Sequence, residues 1–273
     1  MITKIIHASD IHIHNYRRLD EYQIQLQKFI DKCKKIADEN GVDNTRIVIA
    51  GDLIHSKTEL SPEGYTLSSW FLKQLDEICK TIVIAGNHDI TQNLSRLDPL
   101  SVIFSMCKFK QVHYLDQDLG YQSGMVEDDN IMWCLYSVFD DFNKPEDINI
   151  IERSGKTFVG LFHGDLKSAK TDAGYVSENG LDGKYFDGID FGLFGHIHKR
   201  QCVKINGIPL AYSGSLIQQD FGENISCHGF LLWNVEERTY EEINLNNDDY
   251  GFYTFSIDEK QDLEIDKEEI INL

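Results

Sequence analysis

The chain has 273 residues, a net charge of −19 and 41% hydrophobic residues at a mean hydropathy of −0.34, enough to bury a proper core and typical of soluble globular proteins. No apolar run reaches membrane-spanning length, "MITKIIHASD" enters a strand without a signal-peptide core, and the six cysteines (Cys33, Cys79, Cys107, Cys134, Cys202, Cys227) form no C-x-x-C pair. These features disfavour a membrane protein and a zinc-thiolate site, and imply reduced thiols in a cytoplasmic setting.

"KIIHAS" opens the chain as an apolar strand, and residues 20–38 follow with Tyr22, Leu26, Phe29, Ile30, Cys33 and Ile36 on one helical face. "RIVIAGD" is a second strand, leading to a helix that opens at "SPEG" with Ser61 as cap and Pro62 at its first position. The core face of that helix is Leu67, Phe71, Leu75 and Ile78, and "TIVIAGNHD" then forms a third strand. Successive β-α units with strands apolar throughout predict a parallel sheet covered by helices. Residues 94–106 offer a further apolar face.

Downstream, "NIMWCLYSV", "KTFVGLFHGD", "DFGLFGHIH" and "QCVKINGIPLAYSGS" read as strands, the last folding back at Asn206-Gly207. Residues 165–180 are polar and turn-rich, the pattern of a mobile loop. "GFLLWNVEERTYEEINL" reads as another hairpin, so the second half is richer in β structure than the first. From Asn234 onward 13 acidic residues face 3 basic ones, against 32 and 23 in the body before it, and "EIDKEEIINL" is weakly amphipathic. So acidic a protein repels a polyanion, although carboxylates that hold cations count as negative before the metal arrives.

Five strands end alike, with metal-ligand residue types following at once: "HASDIH" (Asp10, His12), "IAGDLIH" (Asp52, His55), "IAGNHD" (Asn87, His88, Asp89), "GLFHGD" (His163) and "LFGHIH" (His196, His198). Open α/β sheets bind ligands at the carboxyl ends of their strands, so these loops should converge in one crevice. Carboxylate, imidazole and amide oxygen together suit a pair of Mn, Fe or Zn ions rather than calcium. Asp52, at the tip of a central strand behind a glycine, is the natural bridge. Two ions about 4 Å apart would hold a phosphodiester and activate water at neutral pH. Singly, each segment has a plainer reading: a turn beside a surface histidine, a common "GD" loop, a satisfied core histidine at His163, a half-exposed strand at "GHIH". The ordered set carries the inference.

D-x-H, GD, GNHD, a lone His and G-H-x-H in this order resemble the calcineurin-like metallophosphoesterases. Within that superfamily, His55 in "GDLIH", "HGDLKSAKTD" after His163, and "YSGSLIQQDFGE" at 212–223 resemble the SbcD-type nucleases, bacterial relatives of the meiotic-recombination nuclease that pairs with an SMC-like ATPase. The resemblance covers roughly residues 1–235. It implies an α/β fold, the four-layer α/β/β/α sandwich of two mixed sheets flanked by helices. It also implies a two-metal-dependent DNA endo- and exonuclease acting in DNA repair, recombination or processing. By the same resemblance, Asp10, His12, Asp52 and His198 bind one ion, and Asp52, Asn87, His163 and His196 the other. The ions are usually manganese, with iron, magnesium or zinc as alternatives. His88 protonates the leaving oxygen or stabilises the transition state, Asp89 orients its ring, and His55 assists the substrate phosphate. The implied partners are DNA, an SbcC-type ATPase and a second copy docked through 94–106, in a bacterial cytoplasm or encoded by a phage.

The chain departs from the family pattern in two places. His14 stands where the family usually has glycine, with His12 favoured as the ligand. Family members continue into a DNA-capping domain and ATPase-gripping helices, whereas residues 236–273 are read here as an acidic extension, a remnant of a capping or partner-binding region. A phosphatase or cyclic-nucleotide phosphodiesterase on small substrates is the alternative, favoured by the acidic surface, and a non-catalytic docking module ranks last because every ligand position is filled.

Overall fold

The computed structural model describes residues 1–91, 97–146, 148 and 151–253. "EIDKEEIINL" and residues 94–96 of the expected apolar face lie outside the described residues. In chain order the strands are β1 (Lys4–Ala8), β2 (Thr45–Ala50), β3 (Thr81–Ile84), β4 (Val112–Tyr114), β5 (Gly124–Asp128), β6 (Ile131–Tyr136), β7 (Thr157–His163), β8 (Phe191–Gly195), β9 (Gln201–Ile205), β10 (Ile208–Tyr212), β11 (Gly229–Asn234) and β12 (Thr239–Asn244). The helices are α1 (Leu19–Asn40), α2 (Pro62–Asp76), α3 (Pro99–Met106) and the single turn α4 (Leu115–Asp118).

The strands form two six-stranded sheets, ordered β12-β11-β1-β2-β3-β4 and β5-β6-β7-β8-β10-β9. β1 to β4 are mutually parallel, as the β-α pattern predicts, and the β11–β12 hairpin adds antiparallel to β1. In the second sheet β6, β7, β8 and β10 are parallel, edged by antiparallel β5 and β9. Both sheets are therefore mixed, and the expected sandwich is what the chain forms. The short β4, β5 and α4 carry no sequence signal strong enough to have been anticipated.

Three apolar layers hold the assembly. Ile6, Ile47, Ile49 and Val83 bury one face of the first sheet under Leu26, Phe29, Phe71 and Leu75 of α1 and α2. Ile5, Val48, Ile82, Val159, Leu161 and Leu193 fill the space between the sheets, with Phe191 stacked on Trp233 at 4.6 Å. Alternation along β1 and β2 thus serves two cores at once, which is why both strands read as apolar without a break. The outer face of the second sheet is covered by Phe162, Phe186, Phe194 and Tyr212 and by the 3₁₀ turn Gly183–Phe186.

Local signals behave as their chemistry requires. Ser61 Oγ accepts from Gly64 N–H at 3.0 Å at the start of α2, with Pro62 in the first turn. Ile78 falls beyond the end of α2 and only partly joins the core. Asn206 and Gly207 take φ of 51° and 85°, the left-handed pair that a tight hairpin between β9 and β10 demands. Residues 165–180 form the turn-rich segment expected, with bonds of their own. Lys167 and Ser168 donate N–H bonds to Leu181 and Ser177, Ser177 donates back to Ala169, and Leu166 and Ala169 are buried in the outer core. The first sheet also runs past residue 235, with β12 as its outer edge, and Gln25 of α1 donates to Asn247 beyond it at 2.7 Å.

Candidate functional site

β1, β2 and β3 are neighbours in one sheet, β7 and β8 in the other, and all five point their carboxyl ends at the same seam. The seam is stitched by a parallel bridge between Ser9 and Ser215 and by close backbone approach: a Cβ on Gly195 would lie 2.1 Å from the Ala50 carbonyl oxygen. Gly86 is equally constrained, since a Cβ there would sit 2.1 Å from Asp52 Oδ1. The chain also bends sharply at the ligands. Asp10, His12, Asp52 and His196 have φ of 52°, 52°, 53° and 101°, left-handed conformations costing roughly 1–2 kcal/mol each in non-glycine residues. The surrounding contacts must hold these four residues in that geometry.

The seven residues expected to bind metal come together. Asp10, His12 and His198 form one ligand cluster, and Asp52, His163 and His196 form a second. Asp52 Oδ2 lies 3.5 Å from His12 Nε2 and 3.1 Å from His163 Nε2, so one carboxylate faces both clusters. Asn87 Oδ1 completes the second, 2.8 Å from His196 Nδ1 and 3.3 Å from His163 Nε2. His14 instead packs against His55 at 3.8 Å between ring centroids, tilted by 35° and outside both clusters.

The donor set fits cations. His163 Nδ1–H donates to the Ala50 carbonyl at 2.8 Å, so the neutral ring turns its Nε2 lone pair toward Asp52 Oδ2, itself an acceptor. Two acceptors 3.1 Å apart, buried to 1% exposure on each residue, require a proton or a metal ion between them. Without metal the proton fills that role. Burial opposes the charge on His163, but Asp52 outweighs it and raises the pKa to about 9. For His198 burial is likewise outweighed, by the Glu223 carboxylate and then Asp10, again reaching about 9. His12 goes the other way: burial holds its pKa well below the ordinary value, so it stands neutral.

Glu223, in "YSGSLIQQDFGE", carries no sequence signal of a role at the site. Its Oε1 accepts from His198 Nδ1–H, and its Oε2 accepts from Ser215 Oγ at 2.9 Å and Gln219 N at 3.0 Å. A carboxylate on the far nitrogen fixes the ring and its tautomer, leaving Nε2 for the ion. Ser213 reaches the site from the same segment, bonding Ser9 Oγ at 2.8 Å while Ser9 donates to Asp10.

His12, His55 and His88 form a third grouping at the mouth, with His12 and His88 centroids 4.7 Å apart. His88 N–H donates to Asp52 Oδ1 at 2.7 Å, and its Nδ1–H to the His55 carbonyl at 2.8 Å, which leaves Nε2 outside those two bonds. Asp89 corrects its expected role. Its carboxylate is fully buried and accepts N–H bonds from Leu53 at 3.2 Å, Ile54 at 2.8 Å and Gly86 at 2.9 Å. It ties the loop after β2 to the loop after β3, and the His88 ring is oriented by the His55 carbonyl instead. Burial, and then Asp52, push the Asp89 pKa up to about 8 against the pull of those donors.

A four-layer α/β sandwich with paired carboxylate–imidazole clusters at its sheet seam is the architecture of a metal-dependent phosphoesterase. A family model for calcineurin-like phosphoesterases matches residues 3–200, and the chain belongs to that family. It is similar to protein R555 of Acanthamoeba polyphaga mimivirus, 39% identical across 96% of this chain but only 19% of that protein. It is also similar to putative phosphoesterase 244L of Invertebrate iridescent virus 6, 24% identical over 99% of this chain and 85% of the relative. Among solved structures, TT1561 of Thermus thermophilus superposes with a TM-score of 0.50 at 14% identity, covering 89% of this chain and 99% of that one, a likeness of fold alone. No helix among the described residues is long and apolar enough to cross a membrane.

Proposed function

We propose that the protein is a two-metal DNA phosphodiesterase of SbcD type, an endo- and exonuclease used in DNA repair, recombination or processing. The observation that carries this reading is the segment 212–223. It resembles the nucleases in sequence, and it reaches the ligand clusters through Glu223 and Ser213. In this reading Asp10, His12 and His198 would hold one divalent ion and Asn87, His163 and His196 the other, with Asp52 shared between them. Manganese is the favoured ion. Such ions supply Lewis acidity to a phosphodiester and activate a water nucleophile.

The protein's own groups do the rest. His88, oriented through Nδ1–H, would donate to the leaving oxygen from Nε2 in its doubly protonated form and be left neutral, with Nδ1–H still on the His55 carbonyl, and His55 beside it at 5.3 Å centroid separation flanks the substrate phosphate. The acidic extension from residue 236 serves partner binding, with an SbcC-type ATPase as the candidate partner. The segment 94–106 is the candidate face for a second copy, with Leu97 ahead of α3 and Met106 at its end 73% and 69% exposed. The setting is cytoplasmic; the bacterial or phage origin rests on the resemblance, while the two relatives named above are viral proteins. The net charge of −19 favours a second reading, a phosphatase or cyclic-nucleotide phosphodiesterase on small substrates.

Cleavage of labelled single-stranded and duplex DNA with Mn²⁺, for wild type beside His88→Ala, separates the readings. Cleavage abolished in the variant, with metal and DNA binding intact, is expected. Turnover of bis-p-nitrophenyl phosphate without DNA cleavage would support the second reading, and loss of metal in His88→Ala would make that residue a ligand.

A further inference from the structure

The histidines of the ligand clusters do not all offer the same nitrogen. His163 and His198 donate Nδ1–H to the Ala50 carbonyl and to Glu223, and both turn Nε2 toward a cluster carboxylate. His196 is reversed. Its Nδ1 lies 2.8 Å from Asn87 Oδ1, a ligand of its own cluster, while its Nε2 faces Asp165 Oδ1 at 3.7 Å. The Asp165 side chain is 45% exposed, with His196 as its ion-pair neighbour among the described residues. The backbone beneath it is fixed. Gly164 N–H donates to the Gly195 carbonyl at 3.2 Å, and the Gly164 carbonyl accepts from the Tyr212 hydroxyl at 2.7 Å. The Asp165 carbonyl accepts from Leu181 N–H at 2.8 Å, and a Cβ on Gly180 would lie 2.7 Å from it. Contacts with β8, β10 and Leu181 therefore seat Asp165 beside His196, and its half-exposed carboxylate keeps the freedom to turn.

Counting ring protons gives that carboxylate a use. A neutral imidazole carries one, and an amide oxygen only accepts, so the 2.8 Å bond to Asn87 Oδ1 puts the proton of metal-free His196 on Nδ1. Nε2 and Asp165 Oδ1 are then two acceptors facing each other, in keeping with a separation too long for a hydrogen bond. When Nδ1 gives its lone pair to an ion beside Asn87, the one ring proton has to stand on Nε2. Asp165 is the acceptor within reach of it.

We propose that Asp165 is a positioning residue for His196, its carboxylate accepting the Nε2–H of the tautomer that ligates through Nδ1. Glu223 does the same for His198 from the opposite nitrogen, so each cluster has one imidazole backed by a carboxylate. Loading moves the His196 proton from Nδ1 to Nε2 by way of solvent and leaves the charge of the ring unchanged. The proposal rests on the two-ion reading above and is independent of the substrate.

Heteronuclear NMR of the histidine rings, with Zn²⁺ as a diamagnetic ion and His196→Asn to assign the signals, reads the tautomer. Calorimetry with Mn²⁺ reads affinity. Wild type is expected to carry the His196 proton on Nδ1 without metal and on Nε2 with it, the loaded proton exchanging slowly with water. Asp165→Ala loses the slow exchange and binds one of its two ions about 10–100-fold more weakly. Asp165→Asn, whose amide oxygen accepts the same bond, recovers most of both, and circular dichroism of the two variants establishes that the fold is intact. A loaded wild type with the proton on Nδ1, unchanged Mn²⁺ affinity in Asp165→Ala, or equal losses in the two variants overturns the positioning role and leaves the two-ion reading standing. Wild type binding a single ion overturns that reading and this proposal with it.

Discussion

Replacing Asp89 by Asn distinguishes a brace from an orienter. At pH 9, above the raised pKa of Asp89, the native carboxylate accepts the Ile54 N–H on one oxygen and the Leu53 and Gly86 N–H groups on the other, all of them buried. An asparagine amide has one oxygen, so its best placement keeps the two bonds from Leu53 and Gly86. Its NH₂ then faces the Ile54 N–H, donor against donor. One buried donor left without an acceptor costs about 1–3 kcal/mol. With a denaturant slope of about 3 kcal/mol/M for a chain of this size, the urea midpoint falls by roughly 0.3–1 M. Because Gly86 and Asp52 move with these loops, Mn²⁺ affinity measured by calorimetry falls as well. Asp89→Ala exposes three donors, roughly 3–9 kcal/mol if the costs add, and is expected to unfold much of the protein. An unchanged urea midpoint and Mn²⁺ affinity in Asp89→Asn, with kcat reduced a hundredfold, would refute the brace. Asp89 would then act on the His88 ring.

Asp52→Ala removes the carboxylate that faces both clusters, so calorimetry should find neither ion bound at wild-type affinity; one retained full-strength site would end the bridging assignment. Glu223→Gln weakens the hold on the His198 ring and should lower Mn²⁺ affinity about 10–100-fold, with no change in affinity showing that the ring is fixed by other contacts. The metal-free protein has an opposite pH dependence to the loaded one. His163 and His198 have folded pKa values near 9 against about 6.5 unfolded, so their protonated pairing with Asp52 and Glu223 stabilises the fold fully below pH 6.5. That contribution is lost as pH rises through 9. In EDTA the melting temperature should therefore fall from pH 6.5 to 9.5, while Mn²⁺ affinity rises over the same range as the ligands shed protons. A flat profile in EDTA would show that the two histidines are neutral without metal.

Much of this protein is legible in one dimension because its chemistry is local to strand ends. An unbroken apolar run of strand length predicts β1, β2 and β3, and a polar group just past each carboxyl end is a candidate ligand wherever parallel strands share a sheet. Asp10, Asp52, His163 and His196 could be named on that ground without a structure. Convergence was implied too, since strand ends in adjacent parallel positions have nowhere else to meet. What lay beyond reach was every role that depends on which atom faces which. Asp89 and His88 are adjacent in sequence, which suggests a pair, yet the turn after β3 sends the carboxylate inward to three backbone donors and the ring outward to the His55 carbonyl. Glu223 lies 25 residues from His198, and no periodicity links them; only the path of the segment after β10 sets that carboxylate on the ring. The loop at 165–180 reads as polar and turn-rich, and its burial of Leu166 and Ala169 in the outer core depends on contacts that the polar run does not announce. Composition and spacing determine which residues are able to bind metal, because that depends on side-chain chemistry. Tertiary structure decides which of them act as ligands or braces, because direction and distance are set by contacts remote in the chain.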